Sequence, residues 1–140
     1  GQAAWEWVGR HVGNVQKEGI ADRRSCIWFH PRGTGSNRLV FHKVRLGSRV
    51  TGYVGLLDSA KEGKPITVKV SIADTTRKSL LLSDRRKGWL TVDIDTAKQC
   101  DEHADISVEL QTKAVGWRHV CFQLEVQESA SSRTADDSAP

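Results

Sequence analysis

The stretch GWRHVCFQLEV, residues Gly116–Val126, has two faces of different character. Counting by twos from position 118, one face is apolar and carries Val120, Phe122, Leu124 and Val126. The other face carries Trp117, His119, Cys121, Gln123 and Glu125. A period of two is the signature of a β-strand with one buried face, so we predict a strand at 118–126. The tryptophan and the cysteine then stand on the face that should meet water, and their position needs an explanation.

Other parts of the chain have the composition of short strands, being rich in β-branched, aromatic or aliphatic residues. They are 25–29, 38–42, 47–57, 65–73, 77–83, 89–94 and 104–112. Turn sequences such as KEGK and DRRKG separate them, and a helical period appears only as a single possible turn in 95–103. We therefore predict an all-β fold, a two-sheet antiparallel β-sandwich (jelly roll) with seven to eight strands. A small closed barrel ranks second, because the strand lengths are uneven and three glycines interrupt 47–57.

The length of 140 residues suits one domain with one core. We expect an N-terminal lead-in or a short first strand in residues 1–20, the β-sandwich in 21–127, and a flexible tail in 128–140, which contains no aliphatic residue larger than alanine. The chain contains no methionine and starts with Gly1, which indicates an excised or processed piece of a longer protein.

Composition and charge exclude several classes of protein. Hydrophobic residues make up 38% and charged residues 27%, which is ordinary for a globular chain and unlike a collagen or a disordered protein. No apolar run approaches the length of about 20 residues that a membrane helix needs. The net charge is +4, but the densest basic groups, Arg23–Arg24 and Arg85–Lys87, are small and lie near acidic residues. We therefore expect no nucleic-acid partner and no membrane span in this chain.

The cysteines are Cys26, Cys100 and Cys121. Cys26 and Cys121 both alternate with apolar neighbours, so both fall on outer-face positions of terminal strands, and terminal strands of a sandwich often lie side by side. We predict a disulfide between these two residues, with Cys100 as the odd thiol. The alternative is three free thiols in a reducing compartment. Residues 100–103 (Cys-Asp-Glu-His) have no metal-ligand spacing and are interpreted as a polar loop.

Several short motifs resemble the galactose-binding-domain-like jelly rolls, and in particular the NPCBM-type carbohydrate-binding modules associated with glycoside hydrolases. They are SCIWFHP (25–31), VTGYVGLLDSA (50–60), ITVKVSIAD (66–74), and ADISVEL (104–110) followed by GWRHVCF (116–122). Together these pieces cover residues 25 to 126. The resemblance implies the jelly-roll fold and a carbohydrate ligand.

Sugar-binding sandwiches stack an aromatic ring on a pyranose and use charged and amide groups to bind its hydroxyls. The candidate ligand-binding residues lie on outer-face positions or at strand ends; they are Trp28, His30, Trp89, Trp117, Arg118, His119 and Gln123. The alternative for each tryptophan is packing under a loop or against the outer sheet, and for His30 a role in the turn before Pro31. Asp58 follows the glycine-rich strand; we expect no cofactor, although calcium is conceivable at that loop.

Enzyme chemistry finds little support, since the chain has no G-x-S-x-G motif and no clear pair of catalytic carboxylates. The sequence GTG at 33–35 has no following helix and is interpreted as a hairpin turn. We predict a non-catalytic module of a larger exported or envelope protein that binds carbohydrate or glycan on an outer sheet face or loop edge. The alternative is a protein–protein interaction or scaffolding domain of an envelope or membrane-anchored protein. Either function places the chain in a periplasmic or secreted compartment.

Overall fold

The computed structural model describes residues 8–29, 31, 35–57, 65–83, 87–113 and 119–128. Within these ranges the chain forms nine strands and one 3-10 turn, Ala97–Gln99. The strands are β1 (Val8–Lys17), β2 (Ile20–Phe29), β3 (Ser36–Arg45), β4 (Arg49–Leu56), β5 (Ile66–Ile72), β6 (Thr75–Leu82), β7 (Leu90–Asp95), β8 (His103–Gln111) and β9 (Val120–Gln127). No helix in the described part is long and apolar enough to cross a membrane.

The strands form two antiparallel sheets. The order is β1-β2-β9-β4-β7 in the five-stranded sheet and β3-β8-β5-β6 in the four-stranded sheet. The predicted two-sheet β-sandwich is confirmed, and the single 3-10 turn falls inside 95–103, where one helical turn was expected.

The strand count differs from the prediction because of the N-terminal hairpin. β1 pairs with β2 along ten residues, from Val8 opposite Phe29 to Lys17 opposite Ile20. The sequence pattern predicts only a lead-in or a short first strand here, with the next strand beginning at 25. The connecting turn is Glu18–Gly19, and both residues have positive φ, 53° and 84°. This is the geometry of a type I′ hairpin turn, but the turn lacks the Asn-Gly or Asp-Gly that usually signals it.

The main core lies between the two sheets and contains the apolar rows predicted from alternation. β5 alternates strictly between buried and partly buried residues along its length. Phe29 and Phe122 pack edge to face, with ring centroids 5.8 Å apart. One buried polar side chain, Thr96, donates its hydroxyl to the carbonyl oxygen of Gly47 at 2.7 Å, so its burial leaves no unmet hydrogen bond at that oxygen.

Four connections join one sheet to the other at the same end of the sandwich: β2–β3, β4–β5, β6–β7 and β8–β9. We call this the loop-rich end. The connections β3–β4 and β7–β8 and the β5–β6 turn lie at the opposite end, which we call the far end.

Candidate functional site

The junction between β2 and β9 lies at the loop-rich end and is short. Only Ile27, Trp28 and Phe29 of β2 are in register with β9, opposite Phe122, Cys121 and Val120. Residues in register point to the same face, so Trp28 and Cys121 both lie on the outer face of the five-stranded sheet. Cys26, two residues before Trp28, forms a disulfide with Cys121 across a Cα–Cα distance of 5.5 Å. The predicted disulfide is confirmed, and so is the predicted pairing of the terminal segments.

Trp28 and His119 form a pair beside this junction. The indole Nε1 of Trp28 donates a hydrogen bond to His119 Nδ1 at 3.1 Å. The two rings are stacked, with centroids 5.7 Å apart and planes inclined by 29°. An indole N–H can only donate, so Nδ1 of the neutral imidazole accepts and its proton is carried on Nε2. The pair therefore forms an aromatic surface at the loop-rich end.

A second apolar cluster explains the cysteine and the tryptophans on the outer face. Val15, Cys26, Leu57 and Cys121 are buried together, and partly buried aromatic rings pack against them. These rings are Trp28, Tyr53 and Trp89. We call this the outer cluster. It has no counterpart in a simple sandwich, since it lies on the side of the sheet that faces away from the main core.

The outer cluster exists because the β1–β2 hairpin folds across the sheet. A methyl group placed at Gly55 of β4 would lie 2.8 Å from Trp89 Cε3 and 2.8 Å from Val15 Cγ2. A methyl group at Gly13 of β1 would lie 2.8 Å from both Cys26 Sγ and Leu57 Cδ2. The two glycines therefore let a strand of the hairpin and an indole ring approach the sheet closely.

Polar contacts hold the hairpin in this position. The Tyr53 hydroxyl donates to the carbonyl oxygen of Ser25, and Trp89 Nε1 donates to the carbonyl oxygen of Asp22 at 3.0 Å. The guanidinium of Arg24 lies 4.9 Å from the Tyr53 ring centroid and 5.7 Å from that of Trp89, and it forms an ion pair with Asp22 at 3.0 Å. Burial raises the pKa of the Tyr53 hydroxyl, and the nearby charge of Arg24 opposes this effect.

The structure brings some of the predicted site residues together and separates others. Trp28 and His119 are in contact, and Gln123 lies on the same face, in register with Tyr53. Trp89 instead packs in the outer cluster, with its N–H bound to the hairpin. The remaining three predicted residues lie outside the described residues, next to Phe29 or His119 in the sequence. They are His30, Trp117 and Arg118.

Sequence reasoning missed Tyr53 and Arg24, which contact the outer cluster or the hairpin that covers it. A signal was present for Tyr53: in the segment 47–57 it alternates with buried Val54 and Leu56, which puts it on the same face as Gly55 and Leu57. No comparable signal existed for Arg24, because the pairing of β1 with β2 was not predicted.

The acidic groups give little indication of a metal site. Among the described residues, no three His, Cys, Asp or Glu side chains are grouped to hold an ion. Asp58, the residue considered for calcium, lies outside the described residues. In the polar loop 100–103, Asp101 forms an ion pair with Arg45 at 2.8 Å, and Cys100 is a partly buried free thiol.

Among the described residues, no hairpin covers the outer face of the four-stranded sheet, and the outer positions of β5 and β8 are polar. Side chains in register across β5 and β8 pair Thr67 with Gln111, Lys69 with Glu109, and Ser71 with Ser107. At its edge, the Asp105 carboxylate accepts the backbone N–H of Lys43 at 2.9 Å, where β3 bulges between Phe41 and Val44. This hydrogen bond, with a second contact to His42, holds the pKa of Asp105 below its usual range.

Comparison with known proteins defines the class of fold. No protein-family model and no curated protein matches the chain. Among solved structures, the CBM51 module of a Clostridium perfringens GH95 protein in complex with methyl-galactose is similar, with a TM-score of 0.63 and 13% identity over 80% of this chain and 77% of that one. This likeness shows the fold: the chain is a two-sheet antiparallel β-sandwich like that module.

Two further structures, from Clostridium perfringens ZmpB, are similar at the same level. One contains CBM51-2 with GlcNAc and the INT domains, with a TM-score of 0.66 and 11% identity over 92% of this chain. The other contains the M60 catalytic domain with CBM51-1 and CBM51-2, with a TM-score of 0.64 and 12% identity over 85% of this chain. This chain spans 30% of the first structure and 13% of the second.

Proposed function

We propose that this chain is a non-catalytic module of a larger exported or envelope protein, and that it binds carbohydrate at the loop-rich end, beside Trp28 and His119. The observation that carries the proposal is the Trp28–His119 pair on the outer face of the five-stranded sheet. An indole ring offers a flat apolar surface for the C–H face of a pyranose, and the imidazole ring of His119 stacks beside it.

The position of the pair supports the proposal. Trp28 is the penultimate residue of β2 and His119 ends the β8–β9 connection, so the predicted residues His30, Trp117 and Arg118 are close to them in the sequence. Loops carried on a rigid scaffold are where binding residues concentrate. The disulfide ties β2, which carries Trp28, to β9, which directly follows His119.

The similar structures support a sugar as the ligand. Two of them hold CBM51 modules in complex with methyl-galactose and with GlcNAc. Disulfides persist in oxidising compartments, so the Cys26–Cys121 bond supports an extracytoplasmic location. The described groups at the site are an indole, an imidazole and an amide, which suit recognition rather than catalysis. The proposal includes no cofactor.

The test measures the binding of methyl-galactoside and of N-acetylglucosamine, both by titration calorimetry and by changes in the chemical shifts of backbone amides. We expect the amides of Trp28 and His119 to shift, and His119→Ala to weaken binding about three- to tenfold through the loss of a hydrogen-bonding group. Trp28→Phe keeps an aromatic ring in the outer cluster but removes the indole N–H, and we expect a similar loss.

His103→Ala is the matched control, since His103 is an exposed histidine at the start of β8, at the far end, and its removal should leave binding unchanged. A glycan array on the wild-type protein covers other sugars, and parallel measurements with EDTA test calcium at the loop that begins with Asp58. A folded protein that binds no glycan would contradict the proposal and favour the protein–protein interaction alternative.

A further inference from the structure

A cleft of about 720 Å³ opens at the far end of the sandwich, away from Trp28 and His119. It lies between β6 and β7, the edge strands of the two sheets on one side of the molecule. The β5–β6 turn, strand β6 and the segment after β7 form its walls through Ala73, Thr75, Arg77, Asp95, Lys98 and Gln99. The volume is within the usual range of about 300–1,000 Å³ for sites that bind small molecules.

Arg77 is held in this cleft by neutral partners. Its Nη1 donates to Gln99 Oε1 at 2.9 Å and its Nη2 donates to the carbonyl oxygen of Asp95 at 2.6 Å. These two bonds join β6 of one sheet to the segment after β7 of the other and fix the plane of the guanidinium. A guanidinium has five N–H donors, so the group retains donors beyond these two bonds.

Four of the described arginines form ion pairs, whereas Arg23 and Arg77 have none among the described residues, and of these two only Arg77 lines the cleft. Arg24, Arg38, Arg45 and Arg49 each form an ion pair with an aspartate, at 3.0, 3.4, 2.8 and 2.7 Å. Within the described ranges, no carboxylate forms an ion pair with Arg77.

The other charged groups of the cleft leave its positive charge in excess. Lys98 is exposed and has no ion-pair partner in the described part of the chain. Asp95 turns its carboxylate toward the backbone, where Oδ1 accepts the N–H of Ala97 at 2.9 Å. Two cations therefore line the cleft against one carboxylate, one oxygen of which accepts a backbone N–H.

We infer that this cleft is a second binding site, which takes the anionic group of an acidic saccharide, a carboxylate or a sulfate. A fixed guanidinium matches the paired oxygens of either group, and Lys98 adds a second positive charge. The Thr75 hydroxyl and the Gln99 amide lie on the same walls and are suited to sugar hydroxyls. The saccharide part of the ligand rests on the proposed function, whereas the anion-binding part rests on Arg77 and Lys98.

The test is an amide chemical-shift titration of the whole chain with sodium glucuronate, N-acetylglucosamine 6-sulfate, inorganic sulfate and neutral methyl-galactoside at constant ionic strength. We expect the amides of Thr75, Ala97 and Gln99 to shift with one or both acidic sugars and to remain unchanged with methyl-galactoside. A response to glucuronate alone identifies a carboxylate site, and a response to the sulfated sugar alone identifies a sulfate site; either supports the inference.

The variants separate a site from nonspecific attraction. Arg77→Gln should weaken binding of the acidic sugar about tenfold, as expected for loss of a hydrogen bond to a charged group. Lys98→Gln removes a side chain with no ion-pair partner, so the fold is retained and the loss is several-fold. If Arg77→Gln fails to fold, the binding of the acidic sugar to Lys98→Gln tests the inference.

Arg45→Gln removes the same charge from a different cleft at the far end and should leave binding unchanged. Equal shifts with inorganic sulfate would show an adventitious ion only, and equal weakening by Arg45→Gln would show nonspecific attraction; either overturns the inference. Because neutral sugars report on Trp28 and His119 in the same titration, failure of the proposed function is seen at the loop-rich end and failure of this inference at the far end.

Discussion

The outer faces of the two sheets differ, although both are formed by the residues that alternate with the main core. On the five-stranded sheet the β1–β2 hairpin covers part of the outer face, so that a disulfide is buried in the outer cluster and three aromatic rings are partly buried against it. On the four-stranded sheet no described strand crosses over, and the outer positions of β5 and β8 hold hydroxyl, amide and charged groups. The comparison shows that alternation identifies two faces of a strand, but it does not determine whether the second face meets water.

The two sheets also differ in how many register pairs join their strands. The five-stranded sheet joins its hairpin to β9 through only three register pairs, so the hairpin depends on the disulfide, the outer cluster and the contacts of Tyr53 and Trp89. Every strand junction in the four-stranded sheet has at least six register pairs, as between β5 and β8. Changes to the outer cluster should therefore cost more stability than equivalent changes on the open face.

The largest effect is expected from the disulfide. Replacing both Cys26 and Cys121 with alanine should lower the free energy of unfolding by about 2–5 kcal/mol, because the bond closes a long loop and ties the hairpin to β9. The sequence separation of the two cysteines is 95 residues. Urea unfolding measures the loss, and hydrogen exchange should show the first increase in β1 and β2.

Cys100→Ala is the control for this change, since Cys100 is a free thiol, and its effect should stay within about 0.5 kcal/mol. Exchange rates that rise equally in β2 and in β5 would contradict the view that the hairpin is a separately attached unit.

A smaller effect is expected where the hairpin approaches the sheet most closely. Gly55→Ala places a methyl group 2.8 Å from both the Trp89 ring and Val15, so the outer cluster must shift and the free energy of unfolding should fall by about 1–3 kcal/mol. Thr67→Val on the open face of β5 is the matched change, and we expect an effect within about 0.5 kcal/mol. Thermal unfolding of both variants makes the measurement, and equal losses would remove the distinction between the two faces.

The smallest effect is expected from Tyr53→Phe, which removes the hydrogen bond to Ser25 and should cost about 1 kcal/mol at neutral pH. The direction of its pH dependence follows from the raised pKa of Tyr53. The folded state holds the phenolic proton more tightly than the unfolded state, so this contribution is complete below the ordinary tyrosine pKa of 10.0 and is lost as the pH rises above it. Urea midpoints at alkaline pH should fall more steeply for the wild type than for the variant.

On the open face, Asp105 gives a pH dependence of stability with the opposite sign. The lowered pKa of Asp105 contributes stability above the ordinary carboxyl pKa of 3.8, which is lost as the pH falls through the folded-state value. Asp105→Asn should therefore flatten the acid side of the profile of unfolding free energy against pH and leave the alkaline side unchanged.

For Tyr53→Phe, an alkaline stability profile that coincides with that of the wild type would contradict the assigned role of Tyr53.

Much of the fold could be predicted from the sequence, because a strand with one buried face has apolar residues at every second position. β5 and β9 were located almost to the residue, and the pairing of Cys26 with Cys121 followed from the parity of their neighbours. The β1–β2 hairpin was not located, since its Glu18–Gly19 turn has an uncommon sequence for its geometry. Trp28 and His119 were selected correctly as neighbours, whereas the packing of Trp89 against Gly55 depends on a hairpin that the pattern does not show.

The sequence by itself determined which side chains share a face, because parity along a strand is a local property of the backbone. Only the tertiary structure decided what lies over each face, since covering is a property of chains that come together from distant positions. An indole ring that the strand pattern places on the solvent-facing side packs against the outer cluster, because the hairpin folds across that side. The cation-lined cleft at the far end likewise exists only because the edges of two sheets, β6 and β7, are brought side by side.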